Sequence, residues 1–232
     1  MMSAFFITGT DTEVGKTHVS SLLLKLLAQR GKKAVGFKPL AAGAEEAFGQ
    51  LVNEDALSLM EAASVHGKYE QINPFCFEPP IAPHIAAQRA GVAISCEALS
   101  EKYQELSTLG AEYTLVEGAG GWALPINDTQ FLYDWIKHEE LPVILVVGMK
   151  LGCLNHAFLT EQAIAAAGLN CVGWVANQVD PAMQEYDANL ETLKQRLKAP
   201  LLGVAPYSEG TPKLQIHSAL LDLLGLQHSA KA

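Results

Sequence analysis

The stretch Gly9-Thr10-Asp11-Thr12-Glu13-Val14-Gly15-Lys16-Thr17 carries the residue types of a phosphate cradle. Glycines let the backbone turn several N–H groups toward one point, and the start of a following helix favours an anion there. A lysine ending such a loop reaches β- and γ-phosphates, and the next hydroxyl ligates Mg²⁺. The common form has four residues between its glycines, whereas Gly9 and Gly15 enclose five. Mg²⁺ takes oxygen ligands and typically one or two carboxylates from the protein. Asp55, in Asn53-Glu54-Asp55-Ala56-Leu57, and Glu117, followed by Gly118-Ala119-Gly120-Gly121, are the candidates. Lys38 offers a second lysine for the same phosphates. A further run, Gly148-Met149-Lys150-Leu151-Gly152-Cys153-Leu154-Asn155-His156, offers a lysine beside another helix start, suited to a carboxylate or other anion. An ordinary connection with its lysine in water explains that run equally well. His84 and His156 are read as structural, no histidine pair has metal-site spacing, and the G-x-S-x-G and G-x-G-x-x-G patterns are absent.

These groups work only if one framework brings them together. Short apolar runs alternate with stretches of helical period, which predicts an α/β fold: a doubly wound, mostly parallel sheet with helices on both faces. Strands are expected at Ala4–Thr8, Ala34–Lys38, Tyr113–Glu117, Val143–Gly148, Cys171–Asn177 and Leu201–Ala205. Helices are expected near Lys16–Arg30, Glu54–Ser64, Cys96–Leu109, Asn155–Ala167 and Ala182–Leu197, with Gly31 and Gly168 as C-caps. Leu99, Tyr103, Leu106 and Leu109 should share one buried face, as should Tyr186, Leu190, Leu193 and Leu197. Ligands gather outside the carboxyl ends of strands in such sheets, where Lys38 and Glu117 fall. The proline-rich segment Gln71–Gly91 reads as a long loop, and His228–Ala232 as a frayed end. Residues 1–232 read as a single domain.

Composition narrows the function classes. Of 232 residues, 49% are hydrophobic and 18% charged, too apolar for a disordered chain. A net charge of −9 argues against wrapping nucleic acid or lying on anionic lipid, both of which need a basic face. Cys76, Cys96, Cys153 and Cys171 contain no C-x-x-C pair and read as reduced thiols. The N-terminus lacks a signal-peptide pattern, and the strongest apolar run, Leu141–Met149, is far too short to span a bilayer. A soluble, cytoplasmic protein is expected.

Taken together, Gly9–Thr17, Lys38-Pro39, Asn53–Leu57, Asn73-Pro74, Pro83-His84, Val116–Trp122, Leu141–Ala157, Gly173–Asn177 and Ala199–Gly203 resemble the ATP-dependent dethiobiotin synthetases, a family with the P-loop NTPase type of fold. The likeness runs from about residue 5 to residue 207. The five-residue interval between Gly9 and Gly15 is the form this family uses. The resemblance implies that diaminopelargonic acid, CO₂ (or bicarbonate) and ATP give dethiobiotin, ADP and phosphate. Lys38, Lys16 and Thr12 would carry the catalysis. ATP would lie on Glu13, Val14, Gly15, Lys16, Thr17 and His18, with Asp55, Glu117, Gly118, Ala119 and Gly120 around its phosphates. Asn177 and Gln178 would read adenine, and Pro206, Tyr207 and Ser208 would close over it. Mg²⁺ would be held by Thr17, Asp55 and Glu117. The substrate would meet Lys38, the position of Ala42, and Lys150, Gly152, Cys153, Leu154 and Asn155 across a homodimer interface.

Two positions depart from the family pattern. Ala42 stands where a serine is usual, and a tyrosine some members contribute across the interface aligns with Asn189, with Tyr186 nearby. Two rivals share the fold. Related amide-forming synthetases carry a glutaminase domain for which 232 residues are expected to leave no room, and nucleotide-switch ATPases have a lysine early in a loop that here carries Asp11 and Glu13.

Overall fold

The computed structural model describes residues 3–47, 49–208 and 210–226. In chain order the elements are β1 (Ser3–Gly9), α1 (Lys16–Gln29), β2 (Ala34–Phe37), β3 (Leu40–Ala42), β4 (Glu45–Ala47), β5 (Gln50–Val52), α2 (Glu54–Ala62), α3 (Tyr69–Ile72), β6 (Phe75–Phe77) and α4 (Pro83–Ala90). There follow α5 (Cys96–Ser107), β7 (Tyr113–Glu117), α6 (Leu132–His138), β8 (Val143–Gly148), α7 (Cys153–Ala166), β9 (Cys171–Asn177), α8 (Tyr186–Arg196), β10 (Leu201–Ala205), β11 (Gln215–Ile216) and α9 (Ser218–Leu223).

Seven strands form one sheet in the order β2-β7-β1-β8-β9-β10-β11, parallel throughout except for β11, which runs antiparallel to β10. Alternation within each strand sends side chains to two covered faces. In β1, Phe6 packs with Phe37, Leu99 and Trp135 under α5 and α6, while Phe5 and Ile7 pack with Val19, Leu23 and Leu59 under α1 and α2. In β8 every residue is buried: Ile144 and Val146 join the α1 face, and Leu145 and Val147 pack with Trp174 and Leu193 under α7 and α8. The chain leaves β1 for β2, two places away, and β7 later fills the gap before β8 pairs on the other side. That reversal puts a crevice at the carboxyl end of β1, between β7 and β8.

The predicted strands are present, with β2 ending one residue early because the Lys38 N–H leaves the sheet for the Ile72 carbonyl at 2.8 Å. Gly31 and Gly168 take φ of 71° and 77° after their helices, as expected of C-caps. The segment read as a loop, Gln71–Gly91, instead contains the end of α3, the strand β6 paired with β3, and the helix α4. Its prolines misled: Pro83 opens α4 at a position where a missing N–H costs nothing. The helix expected at Ala182–Leu197 begins only at Tyr186, because Asp180 turns the chain by accepting from the Ala182 N–H and Glu185 has a φ of 54°. α7 starts two residues sooner than expected, directly after Gly152 at φ 92°. The segment Ile216–Leu226 packs on its own subunit: Leu220, Leu221 and Leu224 join the α1 face, and the Tyr113 hydroxyl donates to the Leu224 carbonyl at 2.7 Å. Residues 228–232, expected to fray, lie outside the described residues. Among those described, no helix is long and apolar enough to cross a membrane.

Candidate functional site

The phosphate loop joins β1 to α1, and its shape depends on Gly15. That residue has a φ of 83°, and a β-carbon there would overlap the amide of Asn177 at the end of β9. The same amide donates to the Val14 carbonyl at 2.9 Å, so β9 clamps the loop from outside. Val14 is fully buried, and Glu13 has a φ of 58°. Lys16 begins α1, is largely buried, and donates to the Asp11 carbonyl at 3.2 Å. Burial, together with the nearby Lys38 charge, lowers its pKa to about 8. His18 follows one residue beyond Thr17, half-buried, its pKa lowered by burial and then by Lys25.

Lys38 sits where β2 ends and is 2% exposed. Its ammonium donates to Asp55 Oδ2 at 2.9 Å, Glu117 Oε1 at 2.8 Å and the Gly118 carbonyl at 3.1 Å. Burial alone would lower its pKa, but the two carboxylates outweigh that and hold it above the ordinary lysine value. Asp55 shows the converse: burial would raise it, and the Lys38 ammonium outweighs burial and lowers it. Asn53 caps α2 by accepting from the Asp55 N–H at 3.1 Å, which aims Asp55 at Lys38. Glu117 ends β7, fully buried, and its Oε1 also accepts from the Thr17 hydroxyl at 2.7 Å. Its Oε2 is buried without a partner among the described residues. A buried, unpaired carboxylate oxygen costs free energy unless a cation or donor meets it. With the Thr17 hydroxyl and Asp55 beside it, this donor set of hard oxygens fits Mg²⁺. The described residues contain no cluster of three or more His, Cys, Asp or Glu that could hold a metal ion.

A cavity of about 940 Å³ opens over these groups. Its lining combines polar Thr12, Lys16, Lys38 and Asp55 with apolar Pro80, Ile81, Pro83 and Leu124. Ala42, Ala119 and Gly120 also line it, and Gly118, just before Ala119, donates its N–H to the Ile7 carbonyl at 3.0 Å. A second groove of about 680 Å³ starts from the same Thr17 and Asp55 and runs past His18 to Lys213 and Leu214. Gln178 accepts from the Tyr207 N–H at 3.2 Å and so ties down Pro206–Ser208, which border a hollow with Thr211 and Lys213.

The Gly152–Asn155 junction is not brought to the cavity of its own chain. Cys153 is buried, Leu154 is half-buried, Asn155 is exposed, and Leu151 is 96% exposed. Only Lys150 turns toward the phosphate loop, 4.0 Å from Asp11 Oδ2. Sequence reasoning missed the apolar wall, and it missed Tyr69, whose hydroxyl meets Asn53 and Asn73.

A family model described as an AAA domain matches residues 3–213. A protein of Pseudoalteromonas translucida named ATP-dependent dethiobiotin synthetase BioD is 64% identical over 225 residues, covering 97% of this chain and 99% of that one. Proteins of the same name are 49% identical in Vibrio parahaemolyticus, covering 89% of this chain and 90% of that one, and 46% identical in Aromatoleum aromaticum, covering 94% and 96%. Among solved structures, the cell division protein MinD of Aquifex aeolicus superposes with a TM-score of 0.55 at 16% identity, covering 97% of this chain and 86% of that one. The signal recognition particle receptor FtsY of Elizabethkingia anophelis gives 0.52 at 13%, covering 97% of this chain and 64% of that one. At those identities the likeness concerns the fold.

Proposed function

The chain belongs to the ATP-dependent dethiobiotin synthetases, ATP-using ligases of biotin biosynthesis, and from that premise we propose how its residues divide the work. The observation that carries the assignment is the Lys38 ammonium, buried at the carboxyl edge of the sheet beside Lys16 and Thr17 and shared by Asp55 and Glu117.

One amine of diaminopelargonic acid captures CO₂ as a carbamate and releases a proton. A carbamate oxygen then attacks the γ-phosphorus of ATP, and the bond to the β-phosphate oxygen breaks to give ADP. The second amine attacks the carbonyl carbon of the resulting mixed anhydride, phosphate leaves, and the ureido ring closes with loss of a proton. The first transfer sets two anions against each other, so protein catalysis here is positioning and charge neutralisation. Lys38 bridges carbamate and γ-phosphate, and Lys16 and Thr12 bind phosphoryl oxygens. Glu13, Val14, Gly15, Thr17 and His18 present the loop and first helical turn to ATP, with Gly118, Ala119 and Gly120 opposite. Thr17, Asp55 and Glu117 would hold Mg²⁺, which would supply charge neutralisation at the phosphates. Asn177, with one amide hydrogen on Val14, and Gln178, through its hold on Tyr207, form the adenine end with Pro206 and Ser208.

The apolar wall of Pro80, Ile81 and Leu124 suits the aliphatic stem of the substrate. We assign its carboxylate to Lys150 and to Gly152, Cys153, Leu154 and Asn155 of a second subunit in a homodimer. Support comes from the exposed Leu151 and Leu159 beside that junction, whose residues do not line the cavity of their own chain. With Ala42 in place of serine, one hydrogen bond of about 0.5–1.5 kcal/mol is given up near the substrate. We treat residues 1–232 as one domain, supported by a single sheet that takes strands from residues 3 to 216. Four unpaired cysteines support a cytoplasmic location.

The test is phosphate release with diaminopelargonic acid and bicarbonate, each supplied and withheld. Release that requires both, with dethiobiotin formed in equal amount, is expected. ATP hydrolysis indifferent to both would overturn the reading in favour of a nucleotide switch.

A further inference from the structure

Beneath the site, a ring of hydrogen bonds connects Lys38 to Asp55 by a second route. The one-turn helix α3 takes hold of Lys38 where β2 releases it: the Lys38 N–H donates to the Ile72 carbonyl at 2.8 Å, and the Asn73 amide donates to the Lys38 carbonyl at 2.6 Å. Asn73 Oδ1 accepts from the Tyr69 hydroxyl at 2.8 Å. That hydroxyl in turn accepts from the Asn53 N–H at 2.7 Å, and the Asn53 side chain caps α2 at the Asp55 N–H. The Lys38–Asp55 ion pair closes the ring. All the members between the two charged groups are buried: Asn53 is 9%, Tyr69 8% and Asn73 2% exposed. The only other group near the phenol oxygen is Cys76 Sγ, at 3.5 Å, among the bonds of the described residues.

Nothing in simple packing asks for a hydroxyl at this point. A phenylalanine would fill the same space, whereas the phenol oxygen acts both as donor and as acceptor, and its two partners belong to the two segments that carry Lys38 and Asp55. Buried, fully satisfied polar networks of this kind fix geometry, because each group has one low-energy arrangement. We infer that Tyr69 is a positioning residue: its hydroxyl sets the separation between the Lys38 ammonium and the Asp55 carboxylate, and with it the alignment of the phosphoryl-transfer site. The inference rests on the roles given to Lys38 and Asp55 above. Tyr69 lines neither of the two cavities, so it acts on the rate and on the metal side and leaves the hold on ATP alone.

The experiment compares wild type with Tyr69→Phe and Asn73→Ala. Turnover is followed by phosphate release, and Mg²⁺ affinity is followed by calorimetric titration of the ADP-bound protein. For Tyr69→Phe, kcat should fall about tenfold, the KM for ATP should stay within about twofold, and Mg²⁺ binding should weaken severalfold. The double variant should be no slower than the worse single one, since both break the same ring. A kcat and a Mg²⁺ titration both within twofold of wild type would overturn the inference. So would a fall in kcat that only follows the loss of folded protein in a thermal melt, with the Mg²⁺ titration of the folded fraction unchanged. If wild type binds Mg²⁺ and ADP but does not turn over diaminopelargonic acid, the functional reading fails. The Tyr69 assignment is then judged by the titration: weakening in Tyr69→Phe supports it and no change overturns it.

Discussion

Two junctions in this protein are built to the same local plan and differ in nearly everything around it. In both, a strand passes through a glycine in the left-handed region into a helix with a lysine beside the turn: Gly15 at φ 83° with Lys16, and Gly152 at φ 92° with Lys150. Gly15 is required twice, once by its φ and once because the Asn177 amide occupies the place of a side chain. Gly152 has nothing within 4 Å of where its β-carbon would stand, so only its backbone conformation asks for glycine. Lys16 is buried among charged neighbours, while Lys150 and Asp11 are both about half exposed. A junction locked from all sides suits a ligand whose reacting atoms must be held still. One left open on its own subunit suits a site that a second surface completes.

The largest test of this contrast is at the lysines. Lys38→Ala removes the cation that the buried Glu117 depends on, so turnover should drop by about a thousandfold or more. Stability should fall by about 3–5 kcal/mol, read from chemical denaturation, since an uncompensated buried charge remains. Lys150→Ala removes only a half-exposed partner at 4.0 Å. It should change stability by less than about 0.5 kcal/mol and act on the KM for diaminopelargonic acid, not on kcat. Equal losses of stability in the two variants would erase the distinction between the buried lysine that faces the phosphate loop from the end of β2 and the half-exposed lysine of the second junction.

Next in size are the glycines. Gly15→Ala must shift the Asn177 amide as well as strain the backbone, and ATP affinity should weaken by about a hundredfold, near 2.7 kcal/mol. Gly152→Ala meets only the backbone strain, about 1 kcal/mol, and ATP affinity should be unchanged in calorimetry. A variant at Gly152 that bound ATP as poorly as the one at Gly15 would mean that the second junction also serves the nucleotide.

The sheet could be read from sequence because its buried strands are continuous apolar runs, of which Val143–Gly148 is the plainest. Lys38, Glu117 and the Gly9–Thr17 loop were visible as chemistry-bearing residues at the ends of such runs. Apart from α2, which the sequence places at Glu54–Ser64, the stretch from Leu40 to Ala90 was not. Its strands β3, β4, β5 and β6 are three residues each and α3 is one turn, too short to show any period. Tyr69 escaped for a related reason: its role comes from partners at Asn53 and Asn73 that meet only once α2 and α3 have packed. Asn53 stood out only as part of Asn53–Leu57 and Asn73 only as part of Asn73-Pro74, and neither spacing points to a shared hydroxyl.

The smallest expected effect separates the junctions by protonation. With its pKa lowered to about 8, first by burial and then by Lys38, free Lys16 loses its charge within the range where enzymes are assayed. An incoming phosphate favours the charged form, so ATP binding at about pH 8.5 should take up a fraction of a proton, and affinity should weaken by up to tenfold for each pH unit above that pKa. Calorimetry in buffers of different ionisation enthalpy reads the uptake directly, and Lys16→Met should abolish it. Stability moves the other way. A lysine whose folded pKa lies below its unfolded value costs the folded state most when both forms are charged, so the Lys16 contribution to stability rises with pH between about 8 and 10.5. Wild type should therefore gain on Lys16→Met in denaturation midpoint across that window while it loses affinity for ATP. Parallel trends in the two measurements would show that Lys16 is not the group being titrated.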